Sequence, residues 1–320
     1  MRIGVFLSSE EFGPGELVGL AVRAERAGFS GLWISDHFHP WNDEQGHSPF
    51  VWSVIGAIAQ ATDLPVGTGV TCPTIRIHPA VVAQAAATSA VLLDGRFTFG
   101  VGSGEALNEH ILGDAWPGAD ERLEMLEEAV EVMRALWTGE VVDHRGTHYR
   151  VQSARIYDLP DEPPPVIVSG FGPKAVELAA RIGDGFATVS PDAESIGLYR
   201  SEGGTGPVQA GAKVCFGPDE AEARRTAHRL WPNAGLPGEL AQVLPTVAHF
   251  EQAAQLVPQE AMDSMPLGPD LERHYEGCKA FADAGVDELY VQQIGPDQDA
   301  FFDEWAQEIL PRFHDDSRRA

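Results

Sequence analysis

Short apolar runs bounded by glycine or proline alternate along this chain with longer amphipathic stretches, the pattern of repeated strand–helix units. Residues 3–7 read as a strand. The stretch 14–28 sets Leu17, Leu20, Ala21 and Ala24 among charges, which predicts a helix opened by Pro14 and closed by Gly28. A second strand at 31–34 follows. The alternation continues with a helix at 54–61, a strand at 64–70, an alanine-rich helix at 79–93 and a strand at 96–102. A charged helix at 120–137 turns Leu123, Leu126, Val130, Met133 and Leu136 to one face.

Further strands are predicted at 165–170, 185–189, 208–216 and 288–292, with helices at 173–182, 218–230, 269–285 and 301–313. Two stretches break the rhythm. Residues 141–151 alternate about Gly146, which predicts a peripheral hairpin, and the proline- and glycine-rich 231–269 reads as an insertion. Eight βα-like units favour a single α/β domain over 1–320, a (β/α)8 TIM barrel, above an open doubly wound sheet. No G-x-G-x-x-G opens a helix after the first strand, which counts against a nicotinamide-binding Rossmann unit.

Composition narrows the function classes. With 43% hydrophobic and 22% charged residues the chain is globular, and no apolar run approaches the roughly 18 residues of a membrane span. The N-terminus turns polar at Ser8-Ser9-Glu10-Glu11, too early for a signal peptide, so the chain reads as cytoplasmic. A formal charge of −26 argues against nucleic-acid partners. Cys72, Cys215 and Cys278 lack metal or redox spacing and read as reduced thiols, with no metal site expected. Lysine is confined to Lys174, Lys213 and Lys279.

In a parallel barrel the C-terminal ends of the strands face one pocket. The apolar run at Trp33 ends abruptly in Asp36, His37 and Trp41; the first strand leads to Glu10 and Phe12. The third gives Gly69, Val70 and Cys72, and the fourth gives Gly102, Ser103, Gly104, Glu105 and Asn108. Histidine titrates near neutrality, and a partly buried glutamate can be tuned toward the same range, so the set suits proton transfer. Each feature has a structural reading as well: glycines for a tight turn, Glu105 for a helix N-terminus, Trp41 for ordinary core.

Several motifs carry a family resemblance. Ser35-Asp36-His37-Phe38-x-Pro40-Trp41, Gly46-His47-x-Pro49-Phe50, Pro73-Thr74-x-Arg76-x-x-Pro79-Ala80, Gly102-x-Gly104-Glu105-Ala106-Leu107-Asn108-Glu109, Ile156-Tyr157-Asp158 and Gly183-Asp184-Gly185-Phe186 resemble the luciferase-like superfamily. Within it they resemble the glucose-6-phosphate dehydrogenases that use the deazaflavin coenzyme F420. The match runs from residue 1 to about 190 and over the last strand and helix, and is weak from about 200 to 285.

The resemblance implies a homodimeric barrel with F420 at its C-terminal mouth, acting as an oxidoreductase. It implies that Asp36 contacts the deazaflavin, that His37 exchanges the substrate proton, and that Glu105 assists proton balance, with Glu10 and Trp41 lining the pocket. It assigns Ser103, Gly104, Asn108, Phe171, Gly172, Lys174 and Ala175 to the cofactor, with Cys72 where the family has a threonine. Gly69-Val70 matches a non-prolyl cis peptide. Arg76, Lys174 and Arg181 are candidate cations for the anionic cofactor tail.

The family's sugar-phosphate site is not reproduced. Its lysine after the sixth strand falls at Asp192 and the preceding threonine at Val189, and no lysine or arginine lies between Arg229 and Arg273. A carboxylate where a phosphate needs a cation reverses the sign of the contact. The expected substrate is therefore a non-phosphorylated alcohol, sugar or carbonyl compound. The alternatives are a reduced-flavin luciferase-like monooxygenase and an inactive F420-binding protein.

Overall fold

Eight parallel strands close on themselves in a computed structural model that describes residues 1–316. They are β1 (Arg2–Leu7), β2 (Leu32–Ile34), β3 (Val66–Thr68), β4 (Phe97–Val101), β7 (Val166–Ser169), β8 (Gly185–Thr188), β9 (Val208–Val214) and β10 (Glu288–Gln293). β5 (Val142–Arg145) and β6 (Arg150–Ala154) form a separate antiparallel hairpin, so barrel neighbours follow chain order around the ring. The predicted (β/α)8 barrel is thus the observed architecture.

Helices α1 (Pro14–Ala27), α2 (Val51–Ile58), α3 (Pro79–Leu92), the short α4 (Ala106–Glu109), α5 (Ala119–Leu136), α6 (Pro173–Ile182), α7 (Ala193–Ser201) and α8 (Glu220–Leu230) follow the strands. The stretch 231–269 contains only short helices, among them α9 (Leu240–Val243) and α10 (Val247–Ala254). It is followed by α11 (Leu271–Ala284), α12 (Gln298–Glu304) and, through a π turn, α13 (Leu310–Asp316). Helix α7 has no counterpart in the hydrophobic pattern, because Ile196 and Tyr199 are its only buried side chains. Asp192 starts it, its carboxylate accepting the N–H groups of Glu194 and Ser195.

Most of the apolar core lies between barrel and helices, and a smaller cluster fills the barrel. In β2, alternation sends Leu32 and Ile34 outward to the helices and Trp33 inward. Inside, Trp33 stacks on Tyr290 at 4.7 Å and meets Phe6 edge-on at 5.7 Å. Its indole N–H donates to Gln209, whose amide donates in turn to Glu288.

Filling the barrel with these rings leaves no room opposite them. A Cβ at Gly4 would come within 2.5 Å of Tyr290, and one at Gly69 within 2.7 Å of Trp33. The β3 ladder stops at Thr68, one residue before the cis Gly69–Val70 peptide, so the strand is shorter than the apolar run 64–70. Val70 then packs over β4, where a Cβ at Gly100 or Gly102 would lie 3.1 or 2.9 Å from its methyl groups. The glycine pattern of β4 therefore serves first to admit β3 and Val70.

The hairpin is fastened from outside. Glu128 of α5 accepts the N–H groups of Thr147, His148 and Tyr149, and the Tyr149 hydroxyl donates to the carbonyl of Thr74. Among the described residues no helix is long and apolar enough to cross a membrane. All three cysteines are free and buried.

Trp33→Ala is expected to destabilise the fold by about 3–5 kcal/mol, as for other buried aromatic deletions. Denaturant titration checks this, and a loss below about 1 kcal/mol would contradict the role of the indole as the barrel's filling.

Candidate active site

Strand ends, as predicted, bring the first candidates together. β1 runs into Ser8, Ser9 and Glu10, all buried. Ser8 Oγ and Ser35 Oγ both donate to Glu10 Oε2, at 2.9 and 2.7 Å, which leaves Oε1 facing His37 Nε2 at 3.5 Å. Glu105, just before α4, brings Oε2 to 3.4 Å from the same nitrogen. One imidazole nitrogen thus lies between two carboxylates contributed by different strands.

The tautomer of His37 follows from its other nitrogen. Nδ1 is 3.2 Å from the carbonyl oxygen of His39, which can only accept, so Nδ1 carries the hydrogen. The lone pair of the neutral ring is then at Nε2, toward the carboxylates. Burial raises the Glu105 carboxyl above its ordinary value and the charge of Glu10 adds to this, against His37, Asn108 and Lys213.

Asn108 fixes the relation between these loops. Its amide nitrogen donates to Glu105 Oε2 at 3.1 Å, and its oxygen accepts the N–H groups of Phe38 and His39 at 2.9 and 3.2 Å. His39 itself reaches the Leu107 carbonyl at 3.0 Å and acts as a second tie to α4. Trp41 walls the site, its ring 5.0 Å from that of His37 and edge-on to Phe250 of α10 at the same separation. The 231–269 segment therefore backs the wall of the site.

Beneath lies a buried charge network. Arg76 donates to Asp36 Oδ1 at 2.9 Å, while Thr71 Oγ1 donates to Asp36 Oδ2 at 2.9 Å. The Arg76 backbone N–H donates to Glu109 Oε2 at 2.7 Å, and its Nε lies 3.5 Å from Glu109 Oε1. One guanidinium serves two carboxylates and sits nearer Asp36, so burial dominates at Glu109 and pushes its carboxyl up to about 7. Arg76 is thereby committed to the protein rather than open to a cofactor tail. Cys72 contacts Thr74 Oγ1 at 3.0 Å, and burial pushes its thiol far up, so it stays protonated. Gly104 is needed beside it: its φ is +79°, and a Cβ would come within 2.4 Å of the sulfur. Ser103, next to it, is half-buried.

Across the barrel mouth, Phe171 is exposed and Gly172 opens α6 without a side-chain cap. A Cβ at Gly172 would meet nothing within 4 Å, so free space adjoins the uncapped first turn that includes Lys174 and Ala175. Such a terminus suits an anionic group. The side chain of Lys174 is instead paired with Asp120 at 2.7 Å and that of Arg181 with Glu127 at 2.6 Å, both exposed contacts between α6 and α5. Val189 is exposed, and Asp192 is turned to the cap of α7 rather than standing as a bare carboxylate.

Two groups stand in the site without having been singled out in the sequence. Glu11 accepts from Trp231 Nε1, from Gln292 Nε2 at 3.1 Å and from the Gly295 N–H at 3.0 Å. Lys213, near the end of β9, holds its ammonium 4.5 Å from the centre of the Trp231 ring. The rarity of lysine was the one available signal for it.

Comparison with known proteins places this geometry in context. Residues 1–288 match the family model described as luciferase-like monooxygenase. The chain is 38% identical over 327 residues to an F420-dependent glucose-6-phosphate dehydrogenase of Beutenbergia cavernae, covering 98% of this chain and 97% of that one. Among solved structures, an F420-dependent secondary alcohol dehydrogenase in complex with an F420-acetone adduct superposes with a TM-score of 0.90 at 30% identity, covering 97% of this chain and 98% of the other. The coenzyme F420-dependent tetrahydromethanopterin reductase of Methanopyrus kandleri shares the fold, with a TM-score of 0.78 at 20% identity over 98% of this chain and 99% of that one.

The Glu109 carboxyl makes a pH-dependent contribution with a definite sign. Its folded value of about 7 lies above the ordinary 4.5, so the folded state holds more protons in that window and stability falls as pH rises through it. Glu109→Gln keeps an acceptor for the Arg76 N–H and should remove this decline. Urea titrations between pH 4.5 and pH 7 measure it; an unchanged slope in the variant would exclude Glu109 as its source.

Proposed function

The chain belongs to the luciferase-like monooxygenase family and to its F420-dependent oxidoreductases, and from that premise we propose that it moves hydride between the deazaflavin and a non-phosphorylated alcohol, sugar or carbonyl substrate. The observation that carries this reading is the placement of His37 Nε2 between Glu10 and Glu105 at 3.5 and 3.4 Å. When bound, F420 supplies the two-electron acceptor for the hydride at its C5.

The residues of the chain handle the proton and the positioning. In the oxidation direction His37 Nε2 accepts the hydroxyl proton, and the imidazolium so formed is stabilised by the flanking carboxylates. Ser8 and Ser35 keep Glu10 oriented for this, and Asn108 keeps Glu105 oriented. Trp41 excludes water from one side of the imidazole. The cis Gly69–Val70 peptide, Ser103, Gly104 and the first turn of α6 are assigned to the cofactor, with Asp36 acting as the anchor that ties Thr71 and Arg76 below it.

Exclusion of a phosphate is supported by charge. From Leu230 to Glu272 the chain has no lysine or arginine, and Asp192 stays negative after the end of β8, its carboxyl held below the ordinary value by the Ser195 hydroxyl and backbone. The one lysine near the site, Lys213, is already acted on by Glu10, Glu11 and Glu105, so a phosphate dianion would meet these carboxylates together with it. The name of the secondary alcohol dehydrogenase neighbour accords with a neutral substrate.

A homodimer is also proposed, from the outer face of α3. Val81, Gln84, Thr88, Val91 and Leu92 are exposed along that face without one charge, on a chain with 48 acidic residues. Sedimentation should give a dimer that Val81→Glu with Leu92→Glu dissociates; a monomeric wild type would refute this.

For the reaction, His37→Ala should lower turnover at least about 100-fold, within the range of general acid–base contributions, and leave F420 affinity within about threefold. Fluorescence titration and cofactor bleaching separate the two quantities. Full activity in the variant, or tighter binding of FMN than of F420, would defeat the reading.

A further inference from the structure

Lys213 is the cation that the reaction has not yet used. It lies on β9 beside Gln292 of β10, the side chain that donates to Glu11. Glu11 pins the Trp231 indole through Nε1, and the ring in turn carries the Lys213 ammonium on its face at 4.5 Å. Burial pulls the Lys213 ammonium below its ordinary value, while the charges of Glu10, Glu11 and Glu105 act in the opposite sense and favour the charged form; Glu10 and Glu105 are also the carboxylates that flank His37. Among the described residues the ammonium makes no ion pair within 4.0 Å and no protein hydrogen bond, and Lys213 is half-buried and so keeps some access to solvent. Three N–H donors are thus placed over the Trp231 ring toward the C-terminal end of β9, linked to the proton-transfer cluster through Glu11, the chain neighbour of Glu10.

We propose that Lys213 selects the substrate by donating to a second hydroxyl next to the reacting carbinol, so that a neutral vicinal diol is favoured over a monoalcohol. This rests on the reading of the site as one that oxidises alcohols. One oxygen of the diol addresses His37 Nε2, and its neighbour meets the ammonium. Neutrality follows from the surroundings: a carboxylate placed there would also face Glu10 and Glu105, whereas a hydroxyl accepts from the ammonium without adding charge. The indole of Trp231 restricts where the ammonium can sit, which makes the donor a fixed feature and not a mobile surface charge.

Two ligands that cannot be oxidised separate recognition from turnover. Pinacol and tert-butanol carry no hydrogen on their carbinol carbons, so their binding to the F420-loaded protein can be followed by cofactor fluorescence with no reaction. Wild type should bind the diol at least about tenfold more tightly than the monoalcohol, in line with a charge-assisted hydrogen bond. Lys213→Met, which keeps the aliphatic stem over Trp231, should bind the two alike, and Lys213→Arg should keep part of the preference. Thermal melting confirms that the variants fold. Wild type without a preference, or a Lys213→Met protein that retains one, overturns the proposal. Should the preference appear while no secondary alcohol reduces F420, the role of Lys213 stands and the alcohol-oxidising reading is the one that falls.

Discussion

The site depends on how the inside of the barrel is filled. Trp33, stacked on Tyr290 and braced by Phe6, takes the space beneath the pocket, and the glycines around it are the complement of its volume. Gly69 can lie against the indole only because it has no side chain, and Val70 beyond it is seated by Gly100 and Gly102. The floor of the site is in this way a consequence of core packing. Three residues after Trp33 the chain delivers Asp36 and then His37, so the element that fills the barrel also positions the imidazole between its two carboxylates.

Above this floor the charges fall into two sets with different duties. Asp36, Arg76 and Glu109 are closed in by protein and hold the β3 and β4 loops together. Glu10, His37 and Glu105 form the second set, with the imidazole between the two carboxylates at contacts of 3.4–3.5 Å. The lower set engages the cation that the tail of an anionic cofactor would otherwise attract. The uncapped start of α6 and the open space at Gly172 offer a place suited to an anionic group.

The insertion packs against the site from one side. Phe250 packs on Trp41, and Trp231 carries Lys213, so a segment with no lysine or arginine of its own still positions a cation by presenting an aromatic face. Burial lowers the Lys213 ammonium, and the carboxylates of Glu10, Glu11 and Glu105 oppose this.

By itself the sequence determined the periodicity, and with it the barrel, because strands buried on both faces and amphipathic helices differ in local pattern at every turn of the chain. It also marked the strand ends whose polar residues the fold brings together, since Asp36, His37, Glu105 and Asn108 interrupt or follow apolar runs. Tertiary structure alone decided the partners. Whether Arg76 faces a ligand or Asp36, whether Asp192 lines a pocket or caps α7, and whether Lys213 is surface or site depends on contacts between residues far apart in sequence. Charge and hydrogen bonding act over a few ångströms in space, and sequence separation carries no record of that distance.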